Sequence, residues 1–192
     1  MYKRQVQGRF NEQIERMDEI VRYQLRKPAA STVDKLVLGP VPVADEVERL
    51  VSGLRKVYHD KQPTIDAEVA PGVTFRGDTG DFLELAGNLL DNACKWCKGK
   101  VSIRVTPSGD KPGTAGGMHL TVDDDGPGIP ADAAETLLER GTRLDEATPG
   151  HGIGLAIVRD IAESYGGTLK IGRSSLGGAS FSIDIPPVAP RR

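Results

Sequence analysis

The sequence is poor in several features that would narrow its class. It holds two cysteines, one tryptophan and three histidines in 192 residues, and aromatic residues make up 5% of the chain. Two cysteines are too few for a disulfide framework, which favours a reducing compartment. The net charge is only −2, so no strong field would attract nucleic acid or an anionic membrane. No apolar run approaches the length of a membrane span and no signal peptide is visible, so we expect a soluble domain.

Several nucleotide and metal motifs are also missing. The sequence lacks GxxxxGKS and GxxxxGKT, which excludes a P-loop nucleotide site. It lacks HRD and DFG, which excludes the protein kinases that phosphorylate Ser, Thr and Tyr. Cys94 and Cys97 form a CxxC pair, but near the end of a predicted helix and without a second pair to complete a zinc site. We interpret both as small buried side chains.

Periodicity divides the chain into a short N-terminal part and one larger domain. Residues 10–25 carry a single apolar stripe at helical spacing, which one helix cannot bury alone, so they are predicted to be one arm of a helical bundle. Residues 28–42 are polar and rich in proline and are predicted to be a linker. The domain is predicted to span 43–187 and to leave 188–192 as a tail.

Within this domain, apolar residues recur as in helices or alternate as in strands. Helices are predicted at 43–59, 81–97 and 152–165, and strands at 64–69, 73–76, 100–106, 118–122, 169–171 and 179–185. Other segments are predicted to be a hairpin loop at 107–117, a short helix at 133–138 and a flexible lid at 139–150. This set of elements predicts an α/β fold, a two-layer α/β sandwich.

The helix predicted at 81–97 has an unusual polar face. Asn88 and Asn92 lie four residues apart, with Glu84 before them and Lys95 after them, within an arc of roughly 100°. Asn is a mediocre helix former, so two on one stripe need a reason. Amide oxygens can ligate Mg²⁺, whose other ligands are often waters and substrate phosphates. The alternative is a surface helix that carries two Asn by chance.

Two glycine-rich segments border predicted elements. Residues 124–128, DDGPG, follow a strand directly, where a carboxylate can accept a hydrogen bond from an exocyclic amine and glycines let the backbone approach a flat ligand. Residues 150–154, GHGIG, open a helix, where free amides and the helix dipole favour an anion. The alternatives are an ordinary tight turn for the first segment and a glycine hinge for the second.

The order of these pieces is more specific than any one of them. An ExxxNxxxN helix, DxGxGIP, a loop and then GxGxG resemble the ATPase superfamily shared by sensor histidine kinases, gyrase, Hsp90 and MutL. The resemblance covers 43–185, and NLLDNACKW, DDDGPGIP, GHGIGLAIVRDI and LGGASF are similar to the N, G1, G2 and G3 boxes of sensor histidine kinases. The wording of NACKWC, RGTRLD and PGHGIGLAIVRDIAE resembles the PhoQ-type, magnesium-sensing kinases. The resemblance implies the Bergerat ATP-binding fold, in which a mixed sheet is covered by about three helices, preceded here by one helix of a dimerisation bundle at 1–27.

The resemblance also implies roles for individual residues toward ATP and Mg²⁺. Asn88 would ligate Mg²⁺, and Asn92 and Lys95 would contact the phosphates. Asp124 would bind the adenine amino group. The remaining implied residues are Gly126 and Gly128 beside the ring, Gly152 and Gly154 at the phosphate-binding helix start, Arg140 and Arg143 of the lid at the γ-phosphate, and Ile129, Gly150 and Leu155 within the same motifs.

Two further residues each have two possible interpretations, one functional and one structural. Trp96 stands where these kinases often have Tyr and would pack near the nucleoside, or is an aromatic at the edge of the core. His151 replaces the small or polar residue usual in the family and would contact the metal or a phosphate, or is an exposed lid residue without a role.

The resemblance implies the catalytic ATP-binding domain of a two-component sensor histidine kinase, which passes the γ-phosphoryl group to a bundle histidine and then to a response regulator. We expect the acceptor histidine to be absent, because His59 stands at the end of the 43–59 helix and the KQPT after it does not match the family. The alternative is a hydrolysing switch of the gyrase, Hsp90 or MutL type. In that case Glu84 would activate water and a transducer domain would follow, whereas the chain ends in PPVAPRR. We expect a cytoplasmic domain of a bacterial inner-membrane sensor, with membrane contact only through segments outside this chain and none with nucleic acid.

Overall fold

The computed structural model describes residues 39–108, 117–130 and 154–187. Several predictions lie outside these residues: the bundle helix in 1–27, most of the linker and of the 107–117 loop, the 133–138 helix, the 139–150 lid and the 188–192 tail. Within the described ranges no helix is both long and apolar enough to span a bilayer.

Three helices and seven strands make up the described part of the chain. The helices are α1 (Val43–Val57), α2 (Thr79–Trp96) and α3 (Gly154–Ser164). The strands are β1 (Pro40–Pro42), β2 (Thr64–Val69), β3 (Thr74–Arg76), β4 (Lys100–Pro107), β5 (Met118–Asp124), β6 (Thr168–Arg173) and β7 (Ala179–Ile185).

Five of these strands form one mixed sheet in the order β2-β4-β5-β7-β6. β2 runs parallel to β4, and the other neighbours are antiparallel. Alternate residues of β4, β5 and β7 are buried under the helices, among them Ile103, Leu120 and Ile183. The residues between them are polar and face away from the helices. The two-layer α/β sandwich is therefore confirmed.

The end of the predicted linker is a strand in the structure. Pro40–Pro42 pairs with Thr74–Arg76 in a separate two-stranded sheet, and Val41 between the prolines is buried against the core. The prolines predict a linker, but an edge strand also tolerates proline because one side of the strand needs no donors. The ordered domain thus begins before residue 43.

The position of α2 is fixed by contacts at both ends. Asp78 caps its start, with Oδ1 accepting from the backbone amides of Gly80 at 2.8 Å and Asp81 at 3.2 Å. Lys61 Nζ donates to the carbonyl oxygens of Cys94 and Lys95, both at 2.8 Å. A cation at this end also complements the helix dipole.

Both cysteines of the CxxC pair are buried free thiols, as predicted. Burial, with smaller contributions from Cys97 and Asp91, raises the pKa of the Cys94 thiol to about 12. Burial likewise raises the pKa of Cys97, although Lys61 opposes the shift. The thiolate is the reactive form of cysteine, and a raised pKa keeps both thiols protonated. These side chains therefore act as packing residues at the end of α2.

Candidate nucleotide-binding site

Asn88 faces the start of α3. Its side-chain nitrogen donates to the carbonyl oxygen of Glu84 one turn earlier, at 2.7 Å, which fixes the rotation of the amide. Oδ1 then lies toward Gly154, so closely that a Cβ at Gly154 would be 2.9 Å from it. The first turn of α3, with backbone amides that lack partners within the helix, thus begins beside an amide oxygen.

The polar face of α2 divides into two sets of residues. Asn88, Asn92 and Lys95 are half-buried, as a cleft-lining set would be. Asp91, which shares this face at helical spacing, instead accepts a hydrogen bond from Tyr58, the residue just after α1, at 2.9 Å. The polar face therefore serves the contact between helices as well as the candidate site.

Trp96 ends α2 at the border of the site. Its side chain is 37% exposed, and Lys95 Nζ lies 5.9 Å from its ring centroid. Its carbonyl oxygen packs on Gly126, where a Cβ would approach to 2.5 Å. The last turn of α2 is therefore in backbone contact with the loop that follows β5.

Asp124 is a carboxylate buried at the end of β5, with 3% of its surface exposed. Its Oδ1 accepts from the backbone amides of Gly126 at 2.7 Å and Ala179 at 3.2 Å. Burial raises the pKa of Asp124, and these two hydrogen bonds oppose the shift without cancelling it. Within the described ranges no donor reaches Oδ2, so this oxygen keeps its capacity to accept a hydrogen bond from a ligand.

Glycines around Asp124 are required by close backbone contacts. At Gly126 the neighbours of a Cβ would be the Trp96 carbonyl and Asp124 Oδ1, so the residue gives room to the protein's own chain. Gly128 has a φ of 78°, a conformation that favours glycine. Gly178 abuts Asp124 Oδ1 and donates its amide to the Asp124 carbonyl oxygen at 3.0 Å. Residue-by-residue prediction missed Gly178 and Ala179, although the LGGASF motif contained the signal.

Asp125 was given no role by the sequence, yet it holds the loop in place. Its Oδ1 accepts from the backbone amides of Lys98, Gly99 and Lys100 at 2.7, 3.0 and 3.0 Å. Burial acts to raise the pKa of Asp125, but these hydrogen bonds outweigh it and leave the pKa below its ordinary value. The carboxylate thereby joins the α2–β4 turn to the end of β5.

The structure thus brings the predicted residues together in two places along α2. Asn88 meets Gly154 at one, and Trp96 meets Gly126, which also contacts Asp124, at the other, about 12 Å along the helix axis at the usual rise per residue. Ile129 and Leu155 are partly buried against the core beside these two points. Five predicted residues lie outside the described ranges: Arg140, Arg143, Gly150, His151 and Gly152.

Comparison with known proteins shows the family to which the chain is related. A family model described as "Histidine kinase-, DNA gyrase B-, and HSP90-like ATPase" matches residues 77–189, more than half of the chain. Sensor protein PhoQ of Escherichia coli (strain K12) is 38% identical over 172 residues, which are 90% of this chain and 34% of that protein. Virulence sensor histidine kinase PhoQ of Salmonella typhimurium (strain 14028s / SGSC 2262) is 38% identical over 173 residues, with the same shares. The chain spans about a third of the length of these relatives.

Solved structures give the same result. The mycobacterial sensor histidine kinase MprB has a TM-score of 0.67 and 29% identity, covering 80% of this chain and all of that one. The ATP-binding domain of PrrB from Mycobacterium tuberculosis has a TM-score of 0.59 and 25% identity, covering 78% of this chain and 97% of that one. Since the family model spans α2, the loop after β5, α3 and the β6–β7 turn, this chain belongs to the family of histidine kinase-, DNA gyrase B- and HSP90-like ATPases.

Proposed function

We propose that this chain is the ATP-binding catalytic domain of a two-component sensor histidine kinase. It transfers the γ-phosphoryl group of ATP to a histidine on a dimerisation bundle, from which the group passes to a response regulator. The sensor kinases among its relatives and structural neighbours support this choice over a hydrolysing switch. The observation that carries it is the buried Asp124 carboxylate, held by one oxygen and able to accept through the other.

Asp124 recognises adenine through its exocyclic amine. A carboxylate accepts from an amino group but meets only an acceptor at the corresponding carbonyl of guanine. The two backbone amides on Oδ1 fix the direction of Oδ2, so the acceptor is oriented before the ligand arrives. Trp96 borders this end and packs beside the nucleoside.

The phosphates lie toward Asn88 and the start of α3. The helix N-terminus offers amides to an anion, and Asn92 and Lys95 add polar and cationic groups on the facing helix. The residues fit Mg²⁺, because Asn88 Oδ1 is a neutral oxygen donor held beside that helix start. Bound Mg²⁺ would neutralise charge on the phosphates during transfer. Gly150 and Gly152 belong to the glycine segment that opens this helix. His151, between them, contacts the metal or a phosphate.

Transfer depends more on alignment than on covalent help from the protein. The chain's own groups orient the nucleotide, and Arg140 and Arg143 of the lid face the γ-phosphate. The acceptor histidine is supplied by the bundle, of which residues 1–27 contribute one helix. In the parent protein this domain lies on the cytoplasmic side of a bacterial inner membrane.

A phosphotransfer assay with a supplied acceptor tests this function. The 192-residue chain is incubated with radiolabelled ATP, Mg²⁺ and the histidine-bearing bundle domain of a PhoQ relative. We expect an acid-labile label on the bundle histidine and little free phosphate without the bundle. Rapid release of inorganic phosphate with no label on the bundle would instead support the hydrolysing switch.

The Asn88→Ala variant separates binding from transfer in the same assay. Adenine contacts lie elsewhere, so adenosine affinity should stay within about twofold while Mg²⁺-dependent transfer is lost by on the order of a hundredfold. Transfer at the parent rate would show that Asn88 is not the metal ligand.

A further inference from the structure

We propose that Tyr165, at the far end of α3, is a positioning residue that sets where the start of α3 lies against Asn88. The proposal rests on the proposed function, because the quantity it controls is the binding of the nucleotide phosphates. Neither the sequence motifs nor the family resemblance assigned a role to Tyr165.

The hydroxyl of Tyr165 joins the end of α3 to the start of α2. It donates to Asp81 Oδ2 at 2.7 Å and accepts from the backbone amide of Asp78 at 3.1 Å. Asp78 is also the residue that caps α2. One hydroxyl therefore contacts both the cap and the first turn of the helix that carries Asn88.

The ring of Tyr165 is held as closely as its hydroxyl. It packs edge-on against Phe75 of β3, with ring centroids 4.7 Å apart. Gly77 lies against both rings, so closely that a Cβ there would be 2.5 to 2.6 Å from their atoms. This end of α3 therefore has little freedom to slide along α2.

The start of α3, at the other end of that helix from Tyr165, lies where the phosphates are proposed to bind. Gly154 lies beside Asn88, whereas Tyr165 lies beside Asp81 and Asp78, so the two helices run antiparallel. Asp81 and Asn88 are about 10 Å apart along α2 at the usual helical rise. Packed helices behave as rigid bodies over such a distance, so a shift at Tyr165 moves Gly154 relative to Asn88.

Nucleotide affinity distinguishes positioning from a general contribution to stability. A residue that only stabilised the fold would leave the relative affinities for adenosine and for Mg·ADP unchanged in the folded protein. A positioning residue weakens Mg·ADP alone, because adenosine is bound at Asp124, which lies on β5 and is held by β7 and the intervening loop. The readout is therefore the ratio of the Kd for Mg·ADP to the Kd for adenosine.

Tyr165→Phe removes both hydrogen bonds and keeps the ring. Tyr58→Phe is a matched control, because the Tyr58 hydroxyl donates to Asp91 of α2 at 2.9 Å but Tyr58 itself follows α1, which carries none of the site residues. Both Kd values are measured by calorimetry on the 192-residue chain. We expect Tyr165→Phe to raise the ratio by about three- to thirtyfold, the range for residues coupled to a site through packing, and Tyr58→Phe to leave it within about twofold.

An unchanged ratio in Tyr165→Phe, or an equal rise in both variants, would overturn the proposal. If Tyr165→Phe does not fold, Asp81→Asn perturbs the same contact from α2. A rise in the ratio of the two Kd values in that variant would support the proposal, and an unchanged ratio would overturn it. Failure of the unmodified chain to bind either ligand would instead refute the proposed function.

Discussion

The amide oxygen of Asn88 and the α carbon of Gly154 approach so closely that no side chain fits between them. A Cβ at Gly154 would lie 2.9 Å from Asn88 Oδ1. This oxygen cannot rotate away without breaking the hydrogen bond that Asn88 Nδ2 donates to the Glu84 carbonyl oxygen. The contact sets the distance between the amide oxygen and the first turn of α3.

Gly154→Ala tests this contact directly. Alanine is the better helix former by up to about 1 kcal/mol, but displacing Asn88 breaks its hydrogen bond to Glu84 at a cost of about the same size, so the free energy of unfolding should change little. The added methyl displaces the Asn88 side chain, and affinity for Mg·ADP should fall by about tenfold or more. Calorimetry and denaturant unfolding measure the two effects. Equal loss of affinity for adenosine would show a general disturbance.

Asp124→Asn should weaken adenine binding without weakening the fold. The amide can still accept from the Gly126 and Ala179 amides, but the group facing the ligand can become a donor. We expect adenosine affinity to fall by about 1.5–3 kcal/mol, the scale of a hydrogen bond to a charged group. Calorimetry with adenosine and guanosine checks this result, and unchanged discrimination between them would remove Asp124 from the adenine site.

The raised pKa of Asp124 gives the domain a defined pH dependence. Its folded pKa lies above the ordinary value of 3.8, so the folded state holds the proton more tightly. As the pH falls through the folded pKa, wild type should gain stability relative to Asp124→Asn while losing adenosine affinity, because the protonated carboxyl is a poorer acceptor. Denaturant unfolding and calorimetry from neutral to mildly acidic pH measure both trends. Parallel stability profiles for the two proteins would contradict the assignment.

Asp125→Ala should loosen the loop beside the adenine end. Three backbone amides lose their shared acceptor, and water replaces it in part because the group is partly exposed. We expect a loss of about 1–2 kcal/mol in the free energy of unfolding. Asp123→Ala is the control, since no hydrogen bond to the Asp123 side chain occurs among the described residues and its backbone pairing in β5 is kept. Equal destabilisation by both substitutions would mean that the three amides do not depend on Asp125.

The isolated chain should bind ATP without phosphorylating itself. His59, just after α1, has 72% of its side chain exposed and pairs with Asp60 at 3.1 Å. Incubation with radiolabelled ATP and Mg²⁺ should leave no acid-labile label, and His59→Gln should behave identically. A label that disappears in His59→Gln would identify His59 as an acceptor.

Local patterning in the sequence determined most of the secondary structure. Alternation placed β2 and β7 at the bounds that the structure shows, and the polar stripe of α2 was visible because helical spacing depends only on neighbouring residues. The order of the motifs indicated the family before any contact was known. The prolines at 40 and 42 predicted a linker where the structure has a strand, because an edge strand and a linker can have the same local composition.

Only the tertiary structure decided which residues hold the site in place. Lys61 reaches the end of α2 across 33 and 34 positions, Asp125 reaches the α2–β4 turn across 25 to 27, and Tyr165 reaches Asp81 across 84. Such contacts have no local signature, since each depends on how the sheet and helices bring distant segments together. The sequence therefore predicted no individual role for Asp125 or Tyr165. The sequence motifs predicted which groups would contact a nucleotide, and the tertiary packing determined how those groups are held in position.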